Sequence, residues 1–441
     1  MKYNIERLTR LLQARRWLGP TIVFSIALLA RCAVALHLPA KILWYDGSRY
    51  MHVADNLLQQ GSFGSLRDNM YSVPVQPLLI AAVRLLFGTN FTALRLCFAL
   101  LGAGTCLVGY LLARRLFGPL AALLAGLCLA VYPHYLYLSA LFEYPQTFFI
   151  FAMSLSFLEL FDYLRSGRLA AVAASGLLLG FAILAVPTVQ LFAPLLLVCI
   201  VVARRALQLP ALIVLGVAIA LPVGAWATHN YLAYGDPILV NRAGGFSFWT
   251  ANNTTYYEFG KNAVVPPCDG GNERYQFCRD WMQIRARLHA DANLTSTQKI
   301  ALEDRAAWDN GKHFLAESPA RTAGLTVRKF LQFWTPVPDA VTNKGTYGGS
   351  AVTWISVLSY VPVLILGLVG LVLSRRRWRE LLPIYAYFGV FTAVYCVFLP
   401  TTRYRLPLDF FLILFSAYAL TRMVPWLREP APAMPLRPSS S

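Results

Sequence analysis

Charge is scarce in this chain of 441 residues: 14% are Asp, Glu, Lys or Arg, against roughly 25% in soluble globular domains. The apolar share is 57%, and it gathers in uninterrupted runs of about twenty residues. Each run is long enough to cross a hydrocarbon core of about 30 Å at about 1.5 Å per helical residue. A soluble enzyme, a disulfide-rich secreted domain and a disordered chain are thereby excluded. The runs do not alternate in polarity, which argues against a transmembrane β-barrel. No small-residue cleavage site follows the first run, so it reads as a membrane helix and not as a removed signal peptide. P-loop, Rossmann glycine pattern, nucleotide-binding domain and tandem repeat are all missing. The sequence predicts an all-α polytopic membrane protein, because a lipid-embedded backbone must satisfy its own hydrogen bonds.

Acids are the scarcer charge, 21 Asp+Glu against 39 Lys+Arg, for a net charge of +18. In a soluble protein this excess would suggest nucleic acid. Here much of it sits in short loops, where membrane topology accounts for it, and no nucleic-acid partner is expected. Six of the eight cysteines lie in apolar stretches and read as small core residues. Cys268 and Cys278 lie in a polar region and are candidates for a disulfide if that region is extracytoplasmic.

About ten transmembrane helices are expected, over 18–38, 92–113, 119–137, 142–162, 169–186, 188–203, 208–227, 351–373, 381–399 and 404–424. Residues 74–87 are apolar but short, carry Pro74, Pro77 and Arg84, and are read as an interfacial helix. With the N-terminus inside and 74–87 lying flat, Arg114–Arg115, Arg165 with Arg168, Arg204–Arg205 and Arg375–Arg377 with Arg379 all face the cytoplasm, as do Arg422 and Arg428. Four regions follow. They are an N-terminal transmembrane module over 1–227 with an outer loop at 39–91, a large extracytoplasmic region at 228–350, C-terminal helices over 351–428, and a disordered Pro/Ser-rich tail at 429–441. Within the large region, 297–316 has a helical pattern, and Pro336 and Pro338 mark the return to the membrane.

Ionisable groups at membrane depth are candidates for function. Trp44-Tyr45-Asp46-Gly47-Ser48-Arg49-Tyr50 follows the first span directly, so Asp46 sits at the outer surface among aromatics, heading a helix that ends at Gly61. Asp46 could instead serve as that helix's cap. Glu143 is the only acid between Asp68 and Glu159 and stands beside Leu141 and Phe142; the plainer reading is a structural pair with an outer arginine. Thr401-Thr402-Arg403-Tyr404-Arg405-Leu406-Pro407 places two arginines outside, against the topological trend. Their forked donors match phosphate, or else lipid headgroups. His229-Asn230-Tyr231 opens the large region, and Arg31 and Arg95 are further basic candidates, Arg31 as balance for a buried acid. Acids on this face could take a proton from an acceptor hydroxyl, and cations could stabilise a phosphate leaving group. A lipid-linked donor could reach such a site; a cytosolic nucleotide-sugar could not.

Several stretches together resemble the GT-C glycosyltransferases, in particular the family-39-like group that includes dolichyl-phosphate-mannose protein mannosyltransferases and the lipid A aminoarabinose transferase. These are the first outer loop with Asp46 and Tyr50, then Pro74-Val75-Gln76-Pro77 leading to Leu86-Phe87-Gly88-Thr89-Asn90 and Arg95, then Arg114-Arg115-Leu116-Phe117-Gly118. Pro133 and Glu143 follow, then His229-Asn230-Tyr231 with Gly235 and Pro237, Gly244-Gly245 with Trp249 and Asn252-Asn253, Lys329-Phe330 with Phe333-Trp334, and Arg403 through Pro407. The chain departs from the group's pattern at Gly47, where many members have Glu, and at Gln76, where the aminoarabinose transferase has lysine. Val186 precedes Pro187 where a basic residue is frequent, and His229 and Ala251 replace Arg and Gly.

The resemblance implies a GT-C-like fold and an inverting glycosyltransferase that moves a sugar from a polyprenyl-phosphate donor to a lipid, glycan or protein acceptor. It implies a bacterial inner-membrane protein with its site facing the periplasm. Asp46 and Glu143 are then the candidate catalytic acids, with Glu143 also a candidate ligand for a divalent metal. Arg403, Arg405, His229 and Arg95 are candidates for the donor phosphate, and Tyr45, Tyr50, Tyr404 and Asn230 for substrate contact. The rival readings are a lipid-linked-sugar flippase or other transporter without chemistry, and a non-catalytic assembly protein. Transporters place charges near the midplane on broken, repeated helices, whereas here they gather at one surface.

Overall fold

The computed structural model describes residues 2–66, 72–264, 268, 272–337 and 350–427. Every regular element among them is a helix. In chain order these begin with α1 (Lys2–Ala14), α2 (Leu18–His37), α3 (Tyr45–Gln60), α4 (Val75–Phe87), α5 (Phe91–Phe117), α6 (Pro119–Val131), α7 (Pro133–Ser139) and α8 (Gln146–Ser166). They continue with α9 (Leu169–Ile183), α10 (Phe192–Arg204), α11 (Leu209–Tyr234), α12 (Gly244–Ala251), α13 (Thr254–Phe259) and α14 (Gln276–Ala290). Last come α15 (Ser296–Glu317), α16 (Pro319–Phe333), α17 (Ser350–Leu373), α18 (Trp378–Val397) and α19 (Thr402–Met423). The tail at 429–441, Arg428 and Pro338 lie outside the described residues.

The chain is a multi-pass membrane protein. Among the described residues eight helices are long and apolar enough to cross a membrane, and α6 with α7 makes a ninth, bent by 58° at the break before Pro133. Proline ends the first segment because it has no N–H for the preceding turn and clashes with its carbonyl. The tenth expected span is α9, 15 residues long and short for a bilayer. It is packed between α8 and α11.

Burial runs opposite to apolarity. α11 is strongly apolar, yet only 22% of its span is buried, while α19 carries Arg403, Arg405 and Asp409 and is 83% buried. Lipid accepts the apolar helix outside, and the ionisable groups are drawn inside the bundle. Close crossings rely on small residues. On α9 a Cβ added at Gly176 or Gly180 would stand 2.8 Å from the carbonyl oxygen of Leu215 or Ile219 on α11. On α17 a Cβ at Gly370 would stand 2.1 Å from the Phe415 carbonyl of α19.

The arginine-rich loops meet at one end of the bundle. Arg115 pairs with Asp162 at 3.1 Å, Arg204 donates to the Leu164 carbonyl at 3.2 Å, and Arg377 donates to the Leu116 carbonyl at 2.7 Å. Arg114 donates to the Arg16 carbonyl at 3.1 Å, so the start of α2 and the end of α5 share that end. With α2 and α5 each crossing once, α3 and α4 between them make no net crossing. α4 has 13 residues, about 20 Å at helical rise. It packs on α3, where Arg84 pairs with Asp55 at 2.6 Å, and it leaves Leu78, Leu85, Leu86 and Phe87 exposed. An apolar edge on a short helix beside the bundle fits the interfacial placement expected from the sequence.

At the end opposite the arginine loops, α12 to α16 form a second lobe around Trp249, Tyr256, Phe277, Trp281, Ala307, Phe314 and Leu325. The helix expected at 297–316 is α15, opened by a capping box in which Thr295 and Gln298 bond reciprocally. The boundary at 227 is not a structural one. α11 continues to Tyr234 and stops only at Gly235, whose φ of 71° suits glycine. His229 and Asn230 are therefore helical.

Gly370→Val should separate α17 from α19 and lower stability by about 1–3 kcal/mol, the range for an overfilled core. Gly389→Ala, where a Cβ meets nothing within 4 Å, should leave the thermal midpoint in detergent unchanged or raise it. Equal midpoints for the two variants would count against the close α17–α19 crossing.

Candidate functional site

α3 begins at Tyr45 after an extended Trp44, whose side chain makes no capping bond. Asp46 is thus in the first turn and not at the cap, and its side chain reaches across to α19. Arg403 Nη1 donates to Asp46 Oδ2 at 3.0 Å, and Arg49 Nη2 lies 3.6 Å from Oδ1. Asp46 is 31% exposed and Arg403 27%, so solvent or a ligand can reach the pair. The Arg403 guanidinium lies 5.1 Å from the Tyr144 ring and 5.0 Å from the Tyr404 ring, close enough for cation–π attraction. Tyr404 stacks on Tyr395 at 4.7 Å and 14°, and the Tyr395 hydroxyl meets Thr188 Oγ1 at 3.1 Å. Trp44 packs on Tyr144 at 5.7 Å. The buried Tyr50 lies close enough to feel Asp46; burial first, then that carboxylate, raises its phenol above the usual range.

Glu143 lies in the linker between α7 and α8 and is fully buried. The Leu43 amide donates to its Oε1 at 2.9 Å. Its Oε2 is buried with no hydrogen-bond partner among the described residues. Burial pushes its carboxyl upward, opposed by the Leu43 amide and the charge of Arg95. A Cβ on Gly47 would stand 2.4 Å from Glu143 Cγ. The residue beside Asp46 therefore touches Glu143, and glycine at 47 leaves room for that side chain. Gln76 Nε2 donates to the Phe142 carbonyl, while its Oε1, also buried, has no partner among the described residues.

The other candidates are placed elsewhere. Arg95 donates to the carbonyls of Leu38, at 3.2 Å, Pro39, and Lys41, at 2.7 Å, and so fastens the α2–α3 turn behind Asp46. Arg405 is fully buried, 3.4 Å from Asp409 Oδ1, with its guanidinium 3.6 Å from the Tyr360 ring and a bond to the Thr335 carbonyl. Two residues along a helix rotate a side chain by about 200°, which separates Arg405 from Arg403. His229 stacks on Trp226 at 5.0 Å and meets Phe63 at 5.1 Å. Phe63 follows the C-terminal end of the 16-residue α3, about 24 Å along the helix from Asp46. Asn230 donates to the Ile238 carbonyl at 2.7 Å, locking the α11 exit. Among the described residues Arg31 pairs with no acid; it donates to the carbonyls of Ala130 at 3.0 Å and Leu129 at 3.1 Å, closing the end of α6. The Tyr45 side chain lies outside the described residues.

Cys268 and Cys278, the suggested disulfide pair, are both free thiols that pack in the core of the second lobe. No group of three or more His, Cys, Asp or Glu among the described residues is arranged to hold a metal ion. Asp409 and Lys329 are buried charges to which the sequence assigns no role in the site. Asp409 was detectable as an acid four residues after Arg405 within a span. Lys329 is nearly fully buried and donates to Asn252 Oδ1 and the Val397 carbonyl, both at 2.8 Å; the resemblance picked out Lys329-Phe330 but not these contacts.

Residues 72–227 match the family model described as dolichyl-phosphate-mannose-protein mannosyltransferase. No curated protein matches the chain. The structure is similar to that of an oligosaccharyltransferase from Archaeoglobus fulgidus tethered to an acceptor peptide containing an NVT sequon. The TM-score is 0.55 at 15% identity, with 93% of this chain and 50% of that one covered. A complex of the same archaeal protein with Zn and sulfate gives a TM-score of 0.52 at 16% identity, over 91% of this chain and 49% of that one. The chain has the GT-C glycosyltransferase fold. ArnT from Cupriavidus metallidurans bound to undecaprenyl phosphate is also similar, at a TM-score of 0.42 and 15% identity, over 91% of this chain and 78% of that one. The chain spans about half the length of the archaeal GT-C protein.

Gly47→Ala should lower the thermal midpoint in detergent by crowding Glu143, and Glu143→Ala should relieve the crowding. The double variant should therefore be more stable than the sum of the single effects by about 0.5 kcal/mol or more. Additive effects would contradict the Gly47–Glu143 contact.

Proposed function

We propose that the protein is an integral-membrane inverting glycosyltransferase that moves a sugar from a polyprenyl-phosphate donor to an acceptor hydroxyl on the outer face of the membrane. The observation that supports this most is the Asp46–Arg403 pair, a half-exposed carboxylate and guanidinium 3.0 Å apart at one end of the bundle. The family matched over 72–227 is named for dolichyl-phosphate-mannose, the donor class proposed here. The arginine loops lie at the other end of the bundle, and the charge rule for short loops assigns that end to the cytoplasm.

In the proposed reaction the acceptor oxygen attacks the anomeric carbon opposite the phosphate, while Asp46 takes the hydroxyl proton. The bond from that carbon to the phosphate oxygen breaks, and polyprenyl phosphate leaves with the electron pair. Arg403 exchanges Asp46 for the phosphate and meets its charge with two parallel donors. Arg49 stays beside Asp46 during the exchange. A single displacement inverts the anomeric centre. The unpartnered Oε2 of Glu143 accepts a hydroxyl of the sugar or the acceptor. A protein acceptor has a counterpart in the archaeal GT-C protein, which carries an acceptor peptide; lipid and glycan acceptors fit the site equally.

The test is transfer of radiolabelled sugar from a polyprenyl phosphate by purified protein in detergent, with envelope extract from a deletion strain as acceptor. Wild type should transfer. Asp46→Asn should lose at least a hundredfold in kcat, in line with removal of a general base, and Arg403→Ala should raise KM for the donor. Normal turnover by Asp46→Asn would refute its role. Complete inactivity of the wild type, where no second compartment exists, would favour a transporter.

A further inference from the structure

The Gly244-Gly245 and Asn252-Asn253 stretch, together with Lys329, has no part in the site so far, and none of it touches Asp46. The structure shows what it holds. α18 ends at Val397 and α19 starts at Thr402, so the turn that delivers Arg403 is four residues long. Like every helix C-terminus, α18 leaves carbonyls without intrahelical partners. The Val397 carbonyl accepts from Lys329 Nζ at 2.8 Å and from Asn252 Nδ2 at 3.0 Å. Lys329 Nζ also donates to Asn252 Oδ1 at 2.8 Å, which closes a three-membered ring of contacts.

Each member is itself held. Asn252 Nδ2 also donates to the Phe248 carbonyl at 2.7 Å, and Asn253 caps α13 by accepting from the Tyr256 amide at 2.8 Å. The Gly245 amide donates to Asp304 Oδ1 at 2.7 Å, and a Cβ there would stand 2.1 Å from the Asp304 carbonyl, so glycine at 245 lets α12 seat on α15. On that seat Phe248 packs 5.8 Å and Trp308 6.2 Å from Phe398, the first residue of the turn. Leu399 packs against the core of the same lobe. Burial lowers the Lys329 ammonium to about 7.

We propose that Lys329 and Asn252 are positioning residues that cap α18 and thereby hold the 398–401 turn in the conformation that presents Arg403 to the donor phosphate. The extracytoplasmic lobe is, on this account, the support for the cation of the site. The proposal rests on the glycosyltransferase reading only for its consequence in catalysis; the mechanical part stands without it.

Hydrogen exchange of the full-length protein in detergent, followed over 398–402, tests the mechanical part. Lys329→Met and Asn252→Ala should each speed exchange there at least tenfold, with α5 and α8 unchanged. The exposed Lys312→Met on the same lobe should match wild type. Asn252→Ala retains Lys329 and serves if Lys329→Met does not fold. In the transfer assay both variants should raise KM for the donor about tenfold or more while changing kcat much less. Unchanged exchange over 398–402 overturns the proposal, as does faster exchange with an unmoved KM in an active enzyme. An inactive wild type with faster exchange in both variants would instead sink the glycosyltransferase reading and leave the cap standing.

Discussion

A carboxylate and a guanidinium, 357 positions apart in sequence, meet at the end of a helical bundle, and much of the structure between them serves to keep them together. Asp46 is the first acid after the first span, and Arg403 stands in the first turn of the last. Such a half-exposed pair contributes little to stability, of the order of 0–1 kcal/mol. Its weakness suits the proposed exchange, in which the arginine lets go of Asp46 to take the donor phosphate. The rigidity therefore has to come from elsewhere. Arg95 fixes the turn before Asp46 through three backbone carbonyls, and Lys329 with Asn252 fixes the turn before Arg403.

The other buried charges have the opposite character. Arg405 and Asp409 are fully buried and face each other inside the bundle. Removing one partner would strand the other in a medium of low dielectric, with a penalty of about 3–5 kcal/mol. Arg31 pairs with no acid among the described residues and instead bonds carbonyls left open where α6 stops before the bend. Two arginines near the same membrane face thus hold the scaffold, while Arg403 alone of the outer arginine pair reaches the site.

Much of the architecture was legible because it depends on sums. Ten apolar stretches, the flat 74–87 helix and the shared end of the arginine loops follow from length and charge counts that no single contact can overturn. Asp46 and Arg403 were legible as residue types at the wrong depth for a structural loop. What was not legible depends on helical phase and on packing. Arg405 sits two residues from Arg403 and so turns away. His229 was read as opening a loop because a polar triplet follows the span, but nothing between 228 and 234 breaks a helix, and α11 carries it to Phe63. The Gly47–Glu143 contact joins the first turn of α3 to the α7–α8 linker about a hundred residues on, which no local pattern encodes. Even so, the glycine that looked like a lost acid makes room for a second acid.

The central claim is that Asp46 and the donor phosphate compete for Arg403. Binding of a polyprenyl phosphate without sugar, titrated by native mass spectrometry on purified wild type, Asp46→Asn and Arg403→Ala, tests this most directly. The account predicts tighter binding by Asp46→Asn, whose arginine is released, and weaker binding by Arg403→Ala. Equal affinity in all three proteins would contradict it.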